Sequence, residues 1–380
     1  MAKPQEDTPM YMNFWYVAAE ASEITDKPVK IKMLGQNFVV FRDSAGKVHC
    51  LHNVCTHRGG NLAGGKMRGD RVECPYHGWQ YNGSGECVKI PSIGKDGKIP
   101  ARTRIDSYPT QEKYGLVFCF LGDLPEHERP PIMDIPEWGK DGWWPNLLRN
   151  EYKASYERAV ENTLDPAHNE FVHPTHGYSG EKESYAMPDY KLDEVPDGCG
   201  FMMIFKAPPL KDETMAKLRN FGGDLEAGAG HVGPHQTWTQ IHLSPTNWFH
   251  QYTFRTPVTR THTKGYLINL RNALQGAEHD EAINKRQRVI QDQDVVVLEA
   301  IEPSIPPVTN TKEVLMPADK AIVRYRQYTK EWNSKGWRVD IEQVEREAGK
   351  SVFAIPCPAR RETKGWVTDS VPVVQAGAAK

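Results

Sequence analysis

Two short segments, Cys55-Thr56-His57 and Cys74-Pro75-Tyr76-His77, each place one soft thiol and one imidazole almost side by side, with sixteen residues between His57 and Cys74. Glycines flank both (Gly59, Gly60 and Gly78), so each loop can fold tightly and bring backbone N–H groups close to whatever the side chains hold. A structural zinc ion also takes two Cys and two His, but zinc sites favour C-x2–4-C and H-x3–5-H pairs over a Cys and a His one residue apart. The C-x-H…C-x2-H pattern suits a [2Fe-2S] cluster in which Cys55 and Cys74 hold one iron and His57 and His77 the other; neutral imidazoles raise its potential above that of an all-cysteine cluster. Tyr76 and Trp79 are placed to shield it from water. The other cysteines, Cys50, Cys87, Cys119, Cys199 and Cys357, are scattered and read as core or surface thiols. Seven in 380 residues is an odd, sparse count for a disulfide framework.

A length of 380 residues favours two domains. From Val29 to about Leu121 short β-rich runs alternate with glycine turns; residues 37–43, 44–46 and 47–51 read as a hairpin with a three-residue loop. A proline-rich passage with Pro125, Pro130, Pro131 and Pro136 marks a boundary near residue 133, giving domains 1–133 and 134–380. Beyond it, β-like runs at 201–206, 237–243, 247–255 and 262–270 mix with helical runs at about 278–302, 318–332 and 340–348. That mixture predicts an α+β fold without the strand–helix alternation of a doubly wound sheet.

A second constellation lies at Glu161-Asn162-Thr163-Leu164-Asp165-Pro166-Ala167-His168, running on to His173. Positions five apart on a regular helix differ by about 140 degrees, so His168 and His173 cannot both face one metal unless the helix is distorted. Pro166 and Pro174 supply the cause. A mononuclear non-heme iron site needs two His and one carboxylate, leaving positions for other ligands. Candidates for the carboxylate are Asp292 and Asp294. Helical spacing puts Ile283, Ile290, Asp294, Val297 and Ile301 on one buried stripe, leaving Asp292 on the other side. A buried carboxylate needs a cation or a strong donor, which selects Asp294. His231 and His235 flank Gly233-Pro234 and read as loop or pocket residues, with His242 and His250 on strands. Trp238, Trp248, Phe249, Tyr252 and Phe254 read as core or as lining of an apolar cavity.

Cys55-Thr56-His57-Arg58-Gly59-Gly60 together with Cys74-Pro75-Tyr76-His77-Gly78-Trp79 closely resembles the cluster motif of Rieske non-heme iron oxygenases, and Asp165, His168 and His173 resemble the family's D-x2-H-x4-H iron motif. The family's D-x4-E ending also falls on Asp294 and Glu299. Respiratory-chain Rieske proteins differ, with an extra disulfide-bonded Cys in each loop where this chain has Gly60 and Tyr76. The resemblance implies an N-terminal all-β Rieske [2Fe-2S] domain followed by a helix-grip (START-like) domain, an antiparallel sheet closed over by helices. It implies a Rieske cluster and one mononuclear Fe(II) per chain, the latter held by His168, His173 and Asp294. The length resembles that of α-only terminal oxygenases of the dicamba O-demethylase and carbazole dioxygenase type, which implies a ring-shaped homotrimer in which one chain's cluster serves its neighbour's iron. Asp165 then occupies the carboxylate position linking a cluster histidine of one chain to an iron histidine of the next. The expected activity is hydroxylation or oxidative dealkylation of a mainly apolar aromatic small molecule with O2. There is no G-x-G-x-x-G after a strand and no P-loop, so NAD(P)H and flavin belong to a reductase, with a ferredoxin as carrier. The rival reading is a Rieske electron-transfer protein whose second domain only binds a ligand or partner; it predicts no second metal.

Forty-seven Lys and Arg against 49 Asp and Glu, net charge -2, create no field to hold nucleic acid or an anionic membrane. The start, MAKPQEDTPM, lacks an apolar export segment and the Arg-rich character of a transit peptide, and no apolar run approaches the roughly 20 residues that span a bilayer. The expectation is a cytoplasmic protein. Lys66, Arg68 and Arg71, between the two cluster segments, form a local basic excess where an acidic ferredoxin would dock.

Overall fold

A computed structural model describes residues 10–374 apart from 207, 209, 211, 212, 220–222 and 308. The described chain forms two compact units, one of residues 10–132, 256–259 and 333–374, the other of residues 133–255 and 260–332. The segment after Trp332 therefore departs from the expected 134–380 domain and packs with the N-terminal unit. Strand Arg338–Val339 pairs antiparallel with Met10–Tyr11. Arg360 clasps the buried Asp106 with two hydrogen bonds, Nε to Oδ1 at 2.6 Å and Nη2 to Oδ2 at 2.7 Å. A buried carboxylate requires such a partner. The partner lies 254 residues away in sequence, beyond the reach of any local pattern.

The N-terminal unit is built from small sheets. Strands Ser107–Tyr108, Val48–His52, Gln36–Arg42 and Val29–Met33 form one, and Thr110–Lys113, Leu116–Leu121 and Phe14–Glu20 another. The expected hairpin forms, with Phe38 opposite His52 and Arg42 opposite Val48. Its turn is closed by Asp43, whose Oδ1 accepts the N–H groups of Ala45 and Lys47. A third, four-stranded antiparallel meander runs through Lys66–Met67, Val72–Glu73, Gln80–Tyr81 and Cys87–Lys89. Its core side packs Val72, Cys74, Tyr81 and Cys87 with Val39, Leu51, Cys55 and Leu62.

The second unit is a seven-stranded antiparallel sheet in the order Trp144–Tyr152, His262–Arg271, Trp248–Thr259, Gln236–His242, Leu225–Val232, Gly198–Phe205, Asp193–Val195. The first two strands pair along their full length, from Trp144 opposite Arg271 to Tyr152 opposite Thr263. A helix follows each: Tyr156–Leu164 after the edge strand and Asp280–Ala300 after its neighbour. Ser155 caps the former, its Oγ accepting the Arg158 N–H. On the long helix Ile290 and Leu298 are buried, and Leu298, Val295 and Ile301 pack with Tyr152, Ala154 and Ala159. The expected stripe is corrected at one position, because Val297 is 37% exposed and the 3.6-residue repeat carries the seam through Leu298 instead. Asp292 is exposed and Asp294 lies on the inner face, as the periodicity requires.

A second set of buried charges fixes the shorter helix. Glu161 accepts from Arg326 Nε at 2.6 Å, and Glu313 bridges Arg158 and Arg326 at 2.9 and 2.6 Å. Arg158 also donates to the Pro303 carbonyl. The sequence pattern does not record this quartet, because Arg158 and Glu161 on one helix meet Glu313 from a loop and Arg326 from another helix.

The Arg360 clasp makes a stability prediction. Arg360→Ala leaves the buried Asp106 without its cation and with the Cys357 N–H still on Oδ1, and the N-terminal unit should lose about 3–5 kcal/mol in urea unfolding. Adding Asp106→Asn removes the stranded charge and should recover much of that loss. A single variant as stable as the parent would show that the clasp does not hold the C-terminal segment.

Candidate metal centres

The two cluster segments are one turn used twice. Cys55 N–H donates to the Gly60 carbonyl and Gly59 N–H to the Cys55 carbonyl; in the same pattern Cys74 N–H donates to Trp79 and Gly78 N–H to Cys74. The fifth residue of each turn has positive φ, 72° at Gly59 and 71° at Gly78, which glycine adopts without strain. A Cβ on Gly60 would fall 2.6 Å from Cys74 Sγ, so only glycine leaves the sulfur its place. The same Cβ would lie 3.5 Å from the Tyr76 Cβ, a disulfide separation, so the two positions that carry the extra bridge in respiratory Rieske proteins face each other here without sulfur.

Both thiols are buried and both imidazoles exposed. The His57 and His77 ring centroids are 4.4 Å apart, and Trp79 stacks on His57 at 4.6 Å and 3°. Tyr76 lies against His77 at 3.8 Å but remains 57% exposed. The Tyr81 hydroxyl sits 3.2 Å from Cys55 Sγ and 3.0 Å from Thr56 Oγ1. Burial pushes the Cys55 thiol up to about 11, against the pull of the Tyr81 hydroxyl, so a thiolate here would need a metal's charge beside it. Two Cys inside and two His at the surface fit a Rieske cluster, which the thiolates would hold from the core side and the imidazoles from the solvent side. The expected basic patch is partly neutralised: Glu73 takes Lys66 at 3.5 Å and Arg68 at 3.2 Å.

In the second unit, the Tyr156–Leu164 helix ends before Asp165, whose backbone is extended (φ -96°, ψ 103°), and a four-residue helix, Asn169–Val172, follows Pro166. His168 and His173 flank that short helix and not a regular one, which resolves the 140-degree conflict. Their Nε2 atoms are 3.2 Å apart, and Asp294 Oδ1 lies 3.6 Å from His168 Nε2 and 3.2 Å from His173 Nε2. Among the described residues this is the one group of three or more His, Cys, Asp or Glu whose ligand atoms all fall within 4.8 Å. The ring protons follow from the partners. His168 Nδ1 meets the Asp165 carbonyl at 2.5 Å, and His173 Nδ1 meets Gln293 Oε1 at 3.0 Å. Both oxygens accept only, so each ring carries its proton on Nδ1 and turns the Nε2 lone pair toward Asp294. The donor set fits a 2-His-1-carboxylate iron site.

The partners of these ligands were not legible in the sequence. Gln293 Nε2 donates to Thr175 Oγ1 at 2.7 Å, which fixes its oxygen toward His173, and Asn162 Nδ2 reaches Asp294 Oδ1 at 3.4 Å. Burial works to lower the His173 imidazole, but Asp294 and Gln293 outweigh it and leave it raised. Asp165 uses its backbone carbonyl on His168, while its Oδ1 accepts the Ala167 N–H at 2.7 Å and its Oδ2 stays 3.9 Å from His168 Nδ1. Burial raises Asp165, against the pull of His168 and the Ala167 N–H.

The triad opens on a cavity of about 480 Å³ between the sheet and the long helix. Phe201, Met203, Phe249, Leu267 and Ile283 give it an apolar wall, and Asn150, Asn269, Gln251 and Gln287 supply polar atoms. Of the five aromatics considered from the sequence, only Phe249 lines it. His231 departs from the expected loop or pocket and stands buried on the strand Leu225–Val232, with His235 buried just past the Gly233-Pro234 turn; His242 and His250 stand on strands, as expected. His176, on the cavity wall, is pushed down to about 3 by burial and by His173.

Residues 14–109 match the Rieske [2Fe-2S] domain, and residues 152–335 match the vanillate O-demethylase oxygenase C-terminal domain. The chain belongs to the Rieske oxygenases. It is similar to the iron-sulfur subunit of the toluene-4-sulfonate monooxygenase system of Comamonas testosteroni, 39% identical over 169 residues, 43% of this chain and 46% of that one. It is also similar to the oxygenase component of 3-ketosteroid-9-alpha-monooxygenase of Rhodococcus rhodochrous, 35% identical over 191 residues, 48% of this chain and 46% of that one. The chain thus spans about half the length of the curated relatives it matches. Dicamba monooxygenase bound to dicamba shares the fold with TM-score 0.70 and 21% identity, covering 89% of this chain and 99% of that one. NdmA of Pseudomonas putida CBB5 with caffeine has TM-score 0.73 and 21% identity, covering 85% and 91%.

Gln293 is the sharpest test of the ligand orientation. Gln293→Leu keeps the volume but leaves His173 Nδ1 without an acceptor, and affinity for Fe(II) should fall about 10- to 100-fold by chelator competition. The visible spectrum of the cluster should not change. Unaltered affinity would show that Gln293 does not set the ring.

Proposed function

We propose that the chain is the terminal component of a Rieske-type non-heme iron oxygenase, which uses O2 and electrons from a ferredoxin and/or an NAD(P)H-dependent reductase to hydroxylate or oxidatively dealkylate a mainly apolar aromatic small molecule. The observation that carries this reading is the convergence of His168, His173 and Asp294 on the wall of the cavity, in the same chain as the two cluster loops. A simple electron-transfer protein has no use for that triad. Cys55, Cys74, His57 and His77 hold the cluster, and His168, His173 and Asp294 hold one Fe(II).

When loaded, the iron supplies O2 activation beside the substrate and the cluster supplies electrons singly. The chain's own residues do the rest. Asp165 and Gln293 keep both imidazoles in the tautomer that presents Nε2. Apolar walls exclude water, and the cavity volume suits a small ring-bearing ligand. Asn150, Asn269 and Gln251 give a ring substituent polar atoms to orient by. The relatives' printed names, toluene-4-sulfonate and 3-ketosteroid, agree with a ring-bearing substrate.

We also place the protein in the cytoplasm as a homotrimer and assign domains 1–133 and 134–332, with the last segment returning to the first domain. Among the described residues no helix is long and apolar enough to cross a membrane. Asp165 is the positioning carboxylate between the iron histidine of one chain and a cluster histidine of its neighbour. Its support is proximity: the Asp165 carboxylate stands beside the iron histidine, with Oδ2 3.9 Å from His168 Nδ1, on a residue whose own carbonyl already orients that ring.

Iron counting tests the triad. The parent should hold about three irons per chain, and His168→Ala or Asp294→Ala about two, with the cluster spectrum kept and turnover lost, whereas Asp292→Ala should match the parent. Full iron and activity in the His168 variant would refute the assignment. For Asp165→Asn the expectation is selective. Both metals and the trimer persist, and rapid mixing of the pre-reduced variant with O2 and substrate shows cluster reoxidation slowed by orders of magnitude. Reoxidation at the parent rate would leave Asp165 as a helix-end residue only.

A further inference from the structure

Thr239 and Ile241 on one strand, Leu243 just past its end, and Phe249, Gln251 and Thr253 on the next strand line the cavity. Side chains alternate along a strand, so His242, His250 and Tyr252 project from the opposite face of the sheet. There the two imidazoles meet, with His242 Nε2 3.1 Å from His250 Nε2. Each ring's other nitrogen is held by a carboxylate: His242 Nδ1 lies 2.6 Å from Glu226 Oε2, and His250 Nδ1 lies 2.7 Å from Glu137 Oε1. The second Glu137 oxygen accepts the Tyr252 hydroxyl at 2.7 Å, so that carboxylate cannot turn away.

Ionised carboxylates accept only, so both rings carry their protons on Nδ1 and aim bare Nε2 lone pairs at each other. Two lone pairs at 3.1 Å repel unless a cation lies between them. The carboxylate-to-imidazole bonds on the far side are the arrangement that orients metal-binding histidines and raises their basicity. The separation also matches the 3.2 Å between His168 and His173 at the proposed iron triad. His250 is buried, while the His242 side chain is 20% exposed, which gives an ion an entrance and room for water ligands. Among the described residues no third His, Cys or carboxylate joins the pair.

We propose that His242 and His250 form a second mononuclear site, for a divalent transition metal of the imidazole-preferring class (Zn2+, Ni2+ or Cu2+), with water completing the coordination and Glu226 and Glu137 orienting the rings. The ion ties the outer face of the Gln236–Thr259 hairpin to the segment carrying Glu137, and the site is separate from the iron triad across the sheet.

The structure supplies its own reporter. Trp248 lies 4.8 Å from the His242 ring and Trp143 4.8 Å from the His250 ring. Titrating the iron-loaded protein with Ni2+ alone, followed by calorimetry and tryptophan fluorescence, should show one saturable equivalent with quenching and no loss of iron. His250→Gln should weaken binding more than tenfold and remove most of the quenching, and Glu137→Gln should weaken it about tenfold. His242→Gln, at the more exposed position, gives the same reading if the His250 variant folds poorly. Iron content should equal that of the parent in all three. Absence of a saturable equivalent in the parent would overturn the site and leave the pair joined by a shared proton. Binding that survives both histidine variants, or that displaces iron, would place the ion elsewhere and overturn it equally.

Discussion

Antiparallel pairing of Trp144–Tyr152 with His262–Arg271 is the constraint on which the second unit and its triad depend. Each strand leads into a helix at the triad: the first into Tyr156–Leu164, beyond whose end lie His168 and His173, and the second into Asp280–Ala300, which carries Asp294. Ligands more than 120 residues apart in sequence meet because their parent strands are hydrogen-bonded neighbours. Tyr152 and Ala154, at the end of the edge strand, pack with Leu298 one turn beyond Asp294, so backbone register and side-chain packing fix the same alignment. A slip of one residue would turn every side chain of the edge strand to the other face.

Around this frame, buried charges are paired. Arg158, Glu161, Arg326 and Glu313 pair with one another at the Tyr156–Leu164 helix, and Asp106 and Arg360 do so in the N-terminal unit. Such sets add less net stability than an apolar replacement of the same shape would, yet breaking one strands a charge. Their effect is to allow a single arrangement: Arg326 comes from the Lys320–Ser334 helix and Glu313 from the loop before it, so the Tyr156–Leu164 helix cannot rotate without losing both.

The sequence made the chemistry legible and much of its support invisible. Cys55, His57, Cys74 and His77 announce themselves by spacing, and the hairpin at 36–52 by its turn residues. Asp294 was separable from Asp292 because a 3.6-residue repeat is a geometric fact, and the same repeat, applied one step too rigidly, misplaced Val297. The helix break at Pro166 was required by the angle between two histidines before any fold was known. What stayed hidden was of another kind. Gln293 on His173, Arg360 on Asp106 and Glu73 on Lys66 and Arg68 are pairings between separate elements, and nothing periodic records them. The polar atoms of the cavity were hidden for the same reason, since Asn150 and Asn269 come from different strands.

The central claim is that one chain holds two distinct iron centres, and iron anomalous diffraction from crystals of the iron-loaded protein tests it most directly. The map should show an unresolved or paired peak bounded by Cys55, Cys74, His57 and His77, and a separate single peak bounded by His168 Nε2, His173 Nε2 and Asp294. A map with the cluster peak alone, at full iron loading and with the triad side chains ordered, would contradict it.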